Sequence, residues 1–136
     1  MVIMGVCVGV RVEGEEESPI EERTDGKFLA DLVREVYYDD VVTRLGLPPG
    51  TADVLKRLPE EDEEQWQDPT ILKRALEDLR RSVPTIGRDP RLQQGFAISK
   101  RDLDDRLKDY DTAVEDAIRI CEWAVVRGKQ VAITMW

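Results

Sequence analysis

The densest group of chemically active side chains is a run of five carboxylates with a tryptophan two positions after it. These residues are Glu60, Glu61, Asp62, Glu63, Glu64 and Trp66. Adjacent carboxylates repel one another and favour an exposed conformation, whereas an indole ring needs an apolar seat or a partner. Burial of Trp66 in the core and contact of Trp66 with a partner are both open. We take the six residues as a candidate partner-binding surface, which would suit a basic protein.

A second candidate site is a group of basic side chains in the second half of the chain. Its members are Arg80, Arg81, Arg88, Arg91, Lys100 and Arg101. Arg88 and Arg91 lie in residues 85–98, where two glycines and a proline indicate a loop. These side chains could hold an anion, which would make the chain a small-molecule binder or an enzyme with a pocket near Arg88 and Arg91. Surface arginines that offset nearby acids are the competing interpretation.

Most catalytic and metal-binding chemistry lacks its usual residues in this sequence. Histidine, the commonest general base and metal ligand, is absent. Cys7 and Cys121 have neither metal-ligand nor disulfide-framework spacing, and no phosphate-binding or calcium-binding loop motif appears. The Tyr-Tyr-Asp-Asp string at 37–40 would splay its aspartates about 100° apart on a helix, so they do not converge on one ion. We predict no catalytic residue, no metal and no cofactor, which favours a protein that is not an enzyme.

The charge of the chain is unevenly distributed. The formal net charge is −9, with −11 in residues 1–68 and +2 in residues 69–136. Such a chain repels phosphate backbones and anionic membrane surfaces, which disfavours nucleic acid as a direct partner. The apolar run 1–10 is too short to span a bilayer and has no basic leader. We expect a cytoplasmic protein with reduced cysteines.

Two segments alternate apolar residues with a period of two, which predicts strands at 2–12 and 129–136. The first carries Gly5 and Gly9 on its less apolar face, where a helix could approach closely. The second is too apolar to be left unpaired and would pair most simply with the first. We expect the glycine face to meet the long C-terminal helix. Since two strands alone make a marginal sheet, we also expect either that its free edge is covered or that a weak strand lies within 85–98.

Apolar spacings of three and four predict helices between the strands. Their expected bounds are 25–46, 51–58, 68–84 and 100–127. The expected caps are Thr24 or Asp25, Thr51, Asp68 and Ser99, the stops are Gly46 and Gly128, and Pro84 limits the third helix. The last helix carries an apolar seam that could join two copies as a coiled coil, although packing against the protein's own sheet is favoured.

An apolar Met-Gly-containing strand begins the chain, and Arg127-Gly128-Lys129 ends the long helix before the strand at 130–136. In this layout of its two ends the chain resembles the YfbM-like family of small uncharacterised bacterial proteins. The resemblance implies a fold and no activity.

The length suits one domain over 1–136. We predict an α+β fold, in which a small sheet of the two terminal strands packs against the long C-terminal helix and two or three further helices. The function favoured by charge is that of a non-enzymatic, inhibitor-like or immunity-like protein with an acidic binding surface. Anion binding near Arg88 and Arg91 is the alternative, and a homodimer through helix 100–127 or a sheet edge is a third possibility.

Overall fold

The computed structural model describes residues 6–61 and 63–136. In chain order its elements are β1 (Val8–Val12), α1 (Gly26–Glu35), α2 (Asp39–Leu45), α3 (Thr51–Leu55), α4 (Pro69–Ile86), α5 (Pro90–Gly95), α6 (Leu103–Arg127) and β2 (Val131–Met135). The predicted α+β class is confirmed, with terminal strands paired beside a long C-terminal helix.

The sheet is an antiparallel pair in which Val10 lies opposite Ile133. Backbone hydrogen bonds between Cys7 and Trp136, of 2.9 and 3.1 Å, extend the pairing beyond β1 and β2. Both strands are shorter than predicted, and residues 2–5 of the expected first strand lie outside the described part of the chain.

The two faces of the sheet differ, as the period-two pattern requires. One face packs into the core through Val8, Val10, Val12, Val131 and Ile133. The other, which we call the outer sheet face, carries Gly9, Arg11, Ala132, Thr134 and Trp136. The expected packing of the glycine face on the long helix is wrong at Gly9, because the nearest atoms to a Cβ added there are those of the Trp136 ring, at 3.0 Å. Gly5 lies outside the described residues.

The helix ends follow local chemistry where a side chain can satisfy free backbone groups. Asp25 accepts from the backbone N–H of Lys27 and caps α1, and Asp68 accepts from that of Thr70 and caps α4. Gly128 stops α6 in a left-handed conformation at φ 64°. These three predicted signals are confirmed.

The single helix expected over 25–46 is two helices. Helix α1 ends at Glu35, and Tyr38 then adopts an extended conformation at φ −95°, ψ 120°. Asp39 and Asp40 begin α2, and carboxylates at the N-terminus of a helix are stabilised by the positive end of its dipole. The break turns the apolar residues of α2 into the core separately from those of α1.

Other boundaries also differ from expectation. Helix α4 continues past Pro84 to Ile86, because a proline in the last turn forfeits only one hydrogen bond. The expected loop 85–98 contains α5 and no strand. Thr51 does not cap α3, since its hydroxyl donates to Asp78 at 3.0 Å. Ser99 does not cap α6 either, because its hydroxyl donates to the Asp102 carboxylate at 2.9 Å.

The core is built around α6, which packs chiefly against α4 and also against α1 and β1. Tyr110, Val114, Cys121 and Ala124 of its apolar seam have no exposed surface. The seam is therefore used inside the protein, but chiefly against α4 and less against the sheet that the sequence predicted as its partner. Among the described residues, no helix has the length and apolar character needed to cross a membrane.

Candidate functional site

The acidic run forms a tight turn. Backbone hydrogen bonds of 2.9 Å join the N–H of Glu60 to the carbonyl of Glu63, and the N–H of Glu63 to the carbonyl of Glu60. Glu61 adopts the left-handed conformation at φ 49°. The side chains of Glu60, Glu61 and Glu63 are exposed, and Asp62 lies outside the described residues. We call residues 60–63 the acidic turn.

Residues 64–67, which we call the flanking segment, follow the acidic turn and reach the free edge of β2. Gln67 and Val131 exchange backbone hydrogen bonds of 2.8 and 3.0 Å in an antiparallel bridge. In an antiparallel pair only every second residue bonds to the partner strand. Val131 is one of the residues whose backbone groups point away from β1, so it can bond to Gln67. The edge of β2 is therefore covered at its first residue, as one of the two expected arrangements requires.

Side chains alternate along this flanking segment. Gln67 faces the core with Val131 and is 6% exposed, while the Gln65 amide donates to the Leu58 carbonyl at 2.7 Å. Glu64 and Trp66 therefore lie on the opposite side, the side of the outer sheet face. Period-two alternation thus places the last two residues of the predicted binding surface on the sheet.

An ion pair joins the flanking segment to β1 across β2. The Arg11 guanidinium lies 2.8 Å from a Glu64 carboxylate oxygen. Ala132, the register partner of Arg11, is beneath this span and fully buried although it belongs to the outer sheet face. The pKa of Glu64 is lowered, first by its own backbone N–H and then by the hydrogen bond from Arg11. The carboxylate is thus held ionised.

Two indole rings are exposed near the sheet. Trp136 belongs to the outer sheet face, and alternation along the flanking segment puts Trp66 on the same side. Trp66 is 39% exposed and Trp136 is 63% exposed, so neither ring is fully seated. The Trp136 ring lies on the two glycines Gly9 and Gly26, where an added Cβ would come within 3.0 Å of it. Trp66 is therefore not buried in the core, and its contact with a partner stays a prediction.

Two of the six basic side chains predicted as an anion site, Arg80 and Arg81, are paired with neighbouring acids. Arg80 donates to Asp111 at 2.9 and 3.2 Å and to Glu115 at 2.7 Å. Arg81 pairs with Asp78. Lys100 and Arg101 are exposed.

Arg88 and Arg91 are also exposed, and the carboxylate of Asp89 lies between them in the chain. That carboxylate accepts from the backbone N–H of Arg91 and pairs with Arg44 at 2.9 Å, so its pKa is lowered, chiefly by Arg44. An ionised carboxylate at this position opposes an anion. Anion binding near Arg88 and Arg91 stays a prediction.

A trough of about 600 Å³ lies between α4 and α6. Four basic and four acidic side chains line it. The basic ones are Lys73, Arg80, Arg81 and Arg119, and the acidic ones are Glu77, Asp111, Glu115 and Glu122. Equal numbers of both signs give the trough no electrostatic preference for an anion or a cation.

An ion-pair network that the sequence did not reveal ties the loop before α1 to α6. The buried Asp116 carboxylate accepts from the backbone N–H of Arg23 at 2.7 Å and from its guanidinium at 2.9 Å. The same guanidinium lies 3.1 Å from Glu115, which also binds Arg80. Asp116 is 93 positions from Arg23, so no local pattern could have paired them.

The two thiols and the string at 37–40 are the other chemically active groups that the sequence singles out. Burial raises the pKa of the Cys121 thiol to about 12. Cys7 is half-buried and donates to Asp25 at 3.5 Å, and desolvation followed by this hydrogen bond raises its pKa. The string at 37–40 is exposed. No cluster of three potential ligands for a metal ion occurs in residues 6–61 and 63–136.

No family model matches the chain, and no match was found among the curated proteins or the solved structures. The resemblance to the YfbM-like family stays a prediction. The outer sheet face and the acidic turn are the features of the molecule that point to a function.

Proposed function

We propose that this chain is a non-enzymatic, cytoplasmic protein-binding domain that acts on a basic protein, in the manner of an inhibitor or immunity protein. The observation that carries the proposal is the half-exposed Trp66 ring, which follows the acidic turn on a segment fixed to the sheet. Tryptophan is enriched among the residues that dominate binding energies.

Charge supports the same choice of partner. The exposed carboxylates of Glu60, Glu61 and Glu63 stand at the end of the flanking segment, in the half of the chain with a formal charge of −11. Such a surface accelerates encounter with a basic partner and repels other acidic proteins.

The flanking segment is also held in place before any partner arrives. The Gln67–Val131 bridge fixes one point of it, and the Arg11–Glu64 pair fixes another. Preorganisation lowers the entropy cost of association. A carboxylate turn on a fixed segment suits recognition better than a mobile acidic tail would.

The test is capture of a partner by the immobilised protein from the lysate of its source organism. A basic protein should bind in near-stoichiometric amount at low salt and be released at about 1 M salt, where the Debye length is about 3 Å. The triple variant Glu60→Gln, Glu61→Gln, Glu63→Gln should lose that protein. A matched variant, Glu16→Gln, Glu17→Gln, Glu21→Gln, removes the same charge from exposed positions elsewhere and should keep it.

Two results would contradict the proposal. One is the absence of any salt-sensitive basic protein from the wild-type capture. The other is equal loss by both triple variants, which would make the interaction a consequence of net charge alone.

A further inference from the structure

We propose that the outer sheet face binds an arginine side chain of the basic partner, stacked on the Trp66 ring and paired with the neighbouring carboxylates. This inference rests on the proposed function and names the group that the surface recognises. It starts from the position of Trp66, which is 39% exposed and which side-chain alternation puts on the same side of the flanking segment as Glu64.

The spacing of the two residues suits a guanidinium. Residues two apart on an extended segment are separated by about 7 Å, which an arginine head group can bridge between an indole ring and a carboxylate. A planar guanidinium stacks on an aromatic face and binds carboxylates through two parallel hydrogen bonds, whereas an ammonium does neither. The surface should therefore prefer arginine to lysine.

The protein itself contains an arginine stacked on an indole ring elsewhere. The Arg127 guanidinium lies 3.8 Å from the centre of the Trp123 ring. The Lys129 ammonium stands at 6.0 Å from the same ring. An arginine from outside the chain would reproduce at Trp66 the closer of these two contacts.

The local charges also select a basic segment over a second copy of this chain. Arg11, the cation of the outer sheet face, is already paired with Glu64 at 2.8 Å and so repels an incoming guanidinium less. Glu60, Glu61 and Glu63 remain exposed beside it. Two copies would bring their acidic turns together with a net charge of −9 on each, which opposes self-association at this surface.

The probe is a capped peptide in which arginine alternates with serine, compared with its lysine counterpart. Binding is followed through the indole N–H signals of the three tryptophans in a nitrogen–proton correlation spectrum, with the Trp66 signal assigned from Trp66→Phe. We expect the arginine peptide to move the Trp66 signal more than the Trp123 signal, and to bind several-fold tighter than the lysine peptide.

Variants separate stacking from general attraction. Trp66→Leu should lower the affinity for the arginine peptide about fivefold or more. Trp66→Phe should have an affinity between those of the wild type and Trp66→Leu, because the cation–π contact weakens from Trp to Phe and is absent for Leu. Tyr38→Leu removes another exposed aromatic ring, at the start of α2, and should leave the affinity unchanged. Thermal melting of each variant confirms that it folds.

Equal binding of both peptides, or an unchanged affinity in Trp66→Leu, overturns this inference. The peptide test can fail while the capture test succeeds, with a basic partner that the wild type binds and the triple glutamine variant of the acidic turn loses. The proposed function then survives without an arginine site. If capture also fails, both are wrong.

Discussion

Arg11 of β1 and Glu64 of the flanking segment form an ion pair of 2.8 Å that crosses β2. Their side chains are 45% and 21% exposed, so solvent screens the attraction and the pair itself adds little to folding stability. Its larger effect is on position, because it holds the segment that carries the acidic turn and Trp66. Loss of the pair should therefore affect the outer sheet face more than global stability.

Arg11→Gln should raise the pKa of Glu64 only part of the way to its ordinary value, since the backbone N–H, the larger cause of its lowered pKa, remains. The lowered pKa stabilises the folded protein at a pH above about 4.3, the pKa of a glutamate in the unfolded chain. This stabilisation is lost as the pH falls through the pKa of Glu64 in the folded protein. The variant should lose less stability on acidification. A carboxyl titration by NMR measures the shift, with the exposed Arg74→Gln as control, and an unchanged Glu64 would contradict the expectation.

Asp116→Ala should destabilise the protein by about 1–3 kcal/mol, because it leaves the backbone N–H of Arg23 without its acceptor and the Arg23 guanidinium with Glu115 alone. Urea unfolding measures this loss. Trypsin should also cleave faster after Arg23 in the variant, since the loop is no longer tied to α6. Glu122→Ala, which removes an exposed carboxylate of the same helix, should cost less than about 1 kcal/mol. Equal costs for the two variants would show that the buried contact is not special.

Glu35→Gln should stabilise the protein at neutral pH. Glu35 is 6% exposed, and its burial raises the pKa of its carboxyl. The folded state therefore binds this proton more tightly than the unfolded state, so the ionised form costs stability above the folded pKa and the cost fades as pH falls towards about 4.3. Urea unfolding of both proteins from neutral to acidic pH should show the difference shrinking. A difference that grows with acid would contradict the raised pKa, and Glu21→Gln controls for the loss of an exposed charge.

The two thiols should differ in reactivity. Cys121 is fully buried with a pKa of about 12, whereas Cys7 is half-buried. In Cys7→Ser, an aromatic disulfide reagent should modify Cys121 only as fast as the protein opens, roughly tenfold or more slower than it modifies Cys7 in Cys121→Ala. Comparable rates in the native state would mean that α6 opens easily at Cys121.

The parts of the fold that local chemistry determines could be predicted from the sequence. The valines of β1 and the caps at Asp25, Asp68 and Gly128 each act within a few residues of themselves. The break between α1 and α2 could not be predicted, because the apolar spacing continues through Val36 and only the tertiary packing turns the chain there. Pro84 was misjudged because a helix tolerates proline in an exposed last turn.

The candidate site was predicted in composition but not in geometry. Glu64 and Trp66 stood out as a carboxylate and an aromatic residue near each other. Their place on the sheet could not be predicted, because the flanking segment is polar and lacks the apolar alternation of a strand. The bridge from Gln67 to Val131 and the pair from Glu64 to Arg11 join residues far apart in the sequence.

Val12 and Val131 are register partners, which leaves nearly the whole chain between the two strands of the sheet. Closing so long a loop is unfavourable until the helices have collapsed and brought the strands together, so the sheet should form late in folding. Since an element that forms last is among the first to open, its amide protons should exchange with solvent before those of the core helices. A binding surface built on this sheet exists only in the fully folded chain, so a partner that grips it would resist unfolding and would not recognise a folding intermediate.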